Sequence, residues 1–93
     1  MVSTIVLKRE LLRLAGARRH PACIDTRRIA AFYNIPEKSI RRELAQLADD
    51  KIINLSGWDG REMRPYSAWQ NADTFIESTA GSSHFHVDLV ARD

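Results

Sequence analysis

A single cysteine, Cys23, leaves this chain of 93 residues without any internal disulfide, and a lone thiol of this kind fits a reducing compartment and a small core position. No apolar run approaches the ~18 residues that a membrane-spanning helix needs. The opening MVSTIVLKRE places Lys8 and Arg9 after its short apolar stretch, the reverse of a secretory signal, so a soluble, cytoplasmic protein with no membrane association is expected. Enzyme signatures are missing too. There is no glycine-rich phosphate loop and no H-E-x-x-H, and Cys23 and His20 are separated by Pro21 rather than set up as nucleophile and base. A chain this short buries only about 60–65% of its potential surface, which leaves little room for an enclosed catalytic cavity. No enzyme activity and no cofactor is expected.

What is present is charge, unevenly spread. The net charge is only +2, yet residues 1–66 hold thirteen of the fourteen Lys and Arg against eight of the twelve Asp and Glu. Residues 67–93 are net acidic. A basic first two-thirds points toward a polyanion partner, while a solvated surface would explain a modest excess equally well.

The apolar pattern divides the chain into short elements. Leu7, Leu11, Leu14 and Ala15 share one face of a first helix capped by Ser3 or Thr4 and ended by Gly16. After GARRHPAC, residues 22–24 form an apolar strand stub. Asp25 caps a short second helix, TRRIAAFYN, with Ile29, Ala30 and Phe32 or Tyr33 as its apolar face and Asn34 closing it, and Pro36 opens a third helix about three residues later. In that helix Ile40, Leu44 and Leu47 follow i, i+4, i+7 spacing and predict a buried face. Lys38, Arg41, Arg42 and Ala45 repeat on a face centred on the opposite side, which is predicted to be basic and exposed. KIINL, residues 51–55, reads as a strand, and Asp59-Gly60 as the turn of a hairpin whose returning strand runs from Met63 to Ala68, with Pro65 requiring an edge position. Beyond it, Asn71 caps a brief helix with Phe75 and Ile76, TAGSS is a loop, and HFHVDLVA alternates as a strand.

The stretch IDTRRIAAFYNIPEKSIRRELAQLADDKII resembles the DNA-binding domains of bacterial transcription regulators of the GntR and LexA types. Asp25 falls at the position of the helix cap, Ile29-Ala30 at the Leu-Ala pair, and Ile40, Leu44, Leu47, Ile52 and Ile53 at the recurring apolar positions. The resemblance implies an α+β fold, a small winged helix-turn-helix over residues 1–68. Residues 69–93 would follow as a C-terminal extension that supplies an extra strand, a dimerisation segment or the start of a linker. It also implies sequence-specific binding of double-stranded DNA in transcription regulation, by a homodimer, with helix 37–48 in the major groove. The implied DNA-binding residues are Lys38, Ser39, Arg41 and Arg42 on that helix, Arg27 and Arg28 in the first turn of the second helix, and Arg61 and Arg64 on the wing. Arg41 or Arg42 is the expected base reader, because a guanidinium matches guanine O6 and N7 with two hydrogen bonds.

Other readings compete. Glu37 and Glu43 can pair with Arg41 and its neighbours and weaken the positive field. Winged helices also serve as protein-interaction modules, so the same fold without DNA binding is the alternative. Trp58 at the hairpin is either a partner anchor or a ring folded back, whereas Tyr66 and Trp69 are expected beneath the wing. His84, His86 and Asp88, with Cys23, form a face that a divalent metal could use, but a solvent-facing strand explains it as well and no metal is assigned. Ala80-Gly81 matches the cleavage dipeptide of the LexA type, yet no Ser-Lys protease segment follows it.

Overall fold

In the computed structural model, residues 4–16 and 22–90 are described; the expected cap Ser3, residues 17–21 of the expected loop and the expected strand residue Ala91 lie outside them. The chain runs α1 (Thr4–Gly16), β1 (Ala22–Asp25), α2 (Thr26–Tyr33), α3 (Glu37–Asp49), β2 (Ile53–Trp58), β3 (Met63–Pro65), a 3-10 turn (Tyr66–Ala68), α4 (Ala72–Ser78) and β4 (His84–Leu89). Among the described residues this is an α+β fold of four α-helices and a four-stranded antiparallel sheet.

Local chemistry sets most of the boundaries. Asp25 Oδ1 accepts hydrogen bonds from the Arg27 and Arg28 amides at 3.0 and 3.2 Å, which starts α2 directly out of β1. Asn34 ends it with φ of 57°, a left-handed conformation that asparagine tolerates, and Pro36 then precedes α3 with φ of −65°. The two helices are therefore joined by Asn34, Ile35 and Pro36 alone. At the hairpin, Asp59 Oδ1 accepts from the Arg61 and Glu62 amides at 2.8 and 2.9 Å, and Gly60 takes the φ of +100° that the bend requires.

The sheet order is β1-β4-β2-β3. β4 pairs with β1 through Ile24↔Phe85 and with β2 through Leu55↔Val87, so the last strand of the chain lies between two earlier ones. Alternation then puts Ile24, Ile53, Leu55, Phe85 and Val87 on the inner face, where they join Leu7, Leu11, Ile40, Leu44 and Leu47 in one core. Gly57 is part of this fit: a Cβ there would stand 3.0 Å from the Phe85 ring. The segment 69–93 thus supplies a central strand, together with Phe75 and Ile76 of α4, to the same core as residues 4–68.

Candidate nucleic-acid interface

Helix α3 packs against α1, α2, α4 and β2, and this crowding decides which of its side chains reach solvent. Ile40, Leu44 and Leu47 are fully buried, as their spacing predicts. The exposed stripe is Lys38, Arg42, Gln46 and Asp49, with Ser39 half-buried beside it. Arg41 and Ala45 depart from the expected exposed face: Arg41 is 7% exposed and Ala45 0%. Four elements, α1, α2, α4 and β2, pack on α3, so its buried face is wider than the apolar spacing implies. The Lys38 Nζ to Glu77 Oε1 ion pair at 3.6 Å places α4 beside Lys38 at the edge of that face. Arg41 is left with a buried Nε that has no hydrogen-bond partner, whereas the neighbouring Arg42 is exposed.

The remaining predicted residues divide by what holds them. Arg27 and Arg28 are exposed at the start of α2, but their amides already donate to Asp25, so only the guanidinium groups can meet a phosphate. Arg61 is exposed at the hairpin tip, with no ion pair among the described residues. Arg64 is tied to Asp59 and Glu62, which neutralise much of its charge. The Asp59 carboxyl in turn sits below its ordinary pKa, because the Glu62 and Arg61 amides and then Arg64 favour its charged form.

The acids of α3 behave differently from the pairs expected in sequence. Glu37 accepts from the Thr26 hydroxyl at 3.3 Å, across the α2–α3 junction. Glu43 is 9% exposed with Oε1 unpartnered, and burial pushes its pKa up, with Lys8 opposing the shift and Asp50 adding to it. Neither forms an ion pair with Arg41 or Arg42 among the described residues. A carboxyl whose folded pKa lies above its unfolded one binds its proton more tightly in the native chain. Stability is therefore complete below the unfolded value and falls as pH rises through the folded one. Glu43→Gln should raise the urea midpoint at about pH 7 and leave it little changed at about pH 3, where the wild-type side chain is already neutral. An equal effect at both pH values would rule out the buried charge as the cause.

Tyr66 pins the segment after the hairpin to the end of α3: its hydroxyl donates to Asp49 Oδ1 at 2.7 Å, and burial together with that carboxylate raises its pKa. Tyr66 and Trp69 are half-buried rather than in the core, packing edge-on against Phe75 at 5.2 and 5.1 Å, while Trp58 is 44% exposed at the end of β2. On the outer face of the sheet His84 lies 3.7 Å from Asp25, and Cys23, exposed rather than in the expected core position, is opposite His86. Among the described residues no group of three or more His, Cys, Asp or Glu could hold a metal. No described helix is long and apolar enough to cross a membrane. A cavity of ≈310 Å³ between β2 and the 3-10 turn is lined by Lys51, Asn54 and Tyr66 among others, and by no carboxylate, His or Cys.

Two residues of this surface were passed over in the sequence. Gln46 follows Arg42 by one turn and could have been found from that spacing; its Nε2 donates to Asp50 Oδ1 at 3.2 Å. Glu77 could not, because nothing local in sequence ties α4 to α3. Comparison with protein-family models, with curated proteins and with solved structures returns no match.

Proposed function

We propose that the chain is a winged helix-turn-helix module that binds double-stranded DNA sequence-specifically in transcription regulation, with α3 in the major groove. The observation that carries the reading is the exposed Lys38–Arg42–Gln46 stripe on a helix joined by three residues to α2, whose first turn displays Arg27 and Arg28. A helix about 10–12 Å across fits a groove about 12 Å wide, provided its opposite face is packed as that of α3 is. Arg42 is the base reader in this arrangement and Gln46 a second one, suited to adenine N6 and N7. Arg27, Arg28 and Arg61 bind phosphates and set the register.

The topology supports the same reading. If β4 is taken as the strand that closes the wing, the order β1-β4-β2 is that of a winged helix, and residues 59–83 are an enlarged wing carrying β3 and α4. A single such module reads few base pairs, so the working form is a homodimer on a repeated or palindromic site, in the cytoplasm. A protein-interaction module is the second reading, favoured by Phe32 on α2 and Ile5 on α1, which are 80% and 70% exposed. Titration of a labelled random-sequence duplex pool separates them, because only the first predicts duplex binding that weakens steeply from about 50 to about 200 mM salt.

A further inference from the structure

The carboxylate beside the basic stripe comes from a different element. Glu77 stands near the end of α4, and its Oε1 is 3.6 Å from Lys38 Nζ. α4 has no cation of its own and carries Asp73 one turn before Glu77, so the helix that packs on α3 is net acidic. It is also fixed there. Phe75 and Ile76, immediately before Glu77, are 0% and 2% exposed, so the backbone that presents the carboxylate is anchored in the core. The Glu77 side chain, by contrast, is 73% exposed and that of Lys38 54%, so both can change partners without disturbing the fold.

We propose that Glu77 is an electrostatic brake on duplex binding: it engages Lys38 in an internal ion pair that DNA phosphate must displace. The proposal rests on the DNA-binding reading above and assigns it a regulator of non-specific affinity. A lysine close to the start of α3 is placed to meet the backbone at the groove edge, and each cation committed to phosphate strengthens binding irrespective of sequence. Glu77 offsets that gain. Contacts made by Arg42 with a preferred base pair are unaffected, so the brake lowers affinity for random DNA and for the selected site by the same factor, which leaves discrimination to Arg42. An exposed pair of this kind couples by no more than about fivefold in an equilibrium constant, which bounds the effect.

The test is a double-mutant cycle of Lys38→Gln and Glu77→Gln, read by fluorescence anisotropy with a labelled random-sequence duplex pool at about 50 mM salt. Glu77→Gln is expected to tighten binding by about two- to fivefold in the wild-type background and to have no effect once Lys38 is Gln. Unchanged or weaker binding by Glu77→Gln overturns the proposal. An equal gain in both backgrounds also overturns it, because Glu77 would then repel phosphate directly rather than act through Lys38. Failure of all four proteins to bind duplex overturns the DNA reading itself and the brake with it, an outcome distinct from binding that is indifferent to Glu77. Both positions are exposed, and unchanged thermal melting of the variants verifies that the fold is intact.

Discussion

Replacing Phe75 by Ala should cost about 3–5 kcal/mol, the range for deleting a fully buried phenyl ring. The ring is 0% exposed and meets Tyr66 at 5.2 Å, Trp69 at 5.1 Å and Phe85 at 5.8 Å. Four aromatic groups from the turn after the hairpin, from α4 and from β4 therefore converge on one point, and little else can close the resulting space. A domain of this size has a total stability on the order of 5–15 kcal/mol, so the variant should be marginally folded at room temperature. Urea denaturation followed by far-ultraviolet circular dichroism checks this, with a lower midpoint and an unchanged slope expected. The result also bears on how the chain is divided. If 69–93 were only an appendage, residues 1–68 would keep their own transition and the loss would be below about 1 kcal/mol. A single transition displaced by the full amount is the behaviour of one core.

The second large effect concerns recognition. Arg42→Ala should remove about 1–3 kcal/mol of discrimination at one base pair of a site selected from a random pool, leaving preference elsewhere in the site intact. Arg41→Met should leave that preference unchanged and act on stability alone, because Arg41 is buried in the fold. Arg27→Ala should weaken all sequences alike and flatten the salt dependence by about one unit of slope. The contrast between positions 41 and 42 is the informative part: neighbours in sequence and identical in chemistry, they differ in which side of α3 they occupy. If Arg41→Met shifts base preference and Arg42→Ala does not, the orientation of α3 toward DNA is wrong.

That contrast also marks the limit of what the sequence carries. Elements with local causes were legible. Asp25 as a cap, Asn34 as a left-handed stop, Pro36 before α3, Asn71 before α4 and Asp59-Gly60 at the bend each act within a few residues, and each lies where its chemistry requires. The apolar spacing of Ile40, Leu44 and Leu47 gave the centre of the buried face correctly. It could not give the width of that face, which depends on how α1, α2, α4 and β2 pack around α3. Arg41 and Ala45 sit within that added width. Pairing followed the same rule. The hairpin β2–β3 has a turn signal, whereas the insertion of β4 between β1 and β2 joins residues 22–25 to 84–87, a separation no turn residue encodes. Glu77 beside Lys38 is illegible for the same reason.

The most direct test of the DNA-binding account is the slope of log affinity against log salt for the random duplex pool. Arg27, Arg28, Arg42 and Arg61 are exposed without an ion pair among the described residues, and Lys38 is held only by Glu77. If Arg27, Arg28, Arg61 and Lys38 each neutralise a phosphate, the slope should be about −4, with measurable binding at about 50 mM salt. A slope near zero, or no binding at that salt, would contradict the account and turn attention to the apolar surface around Phe32.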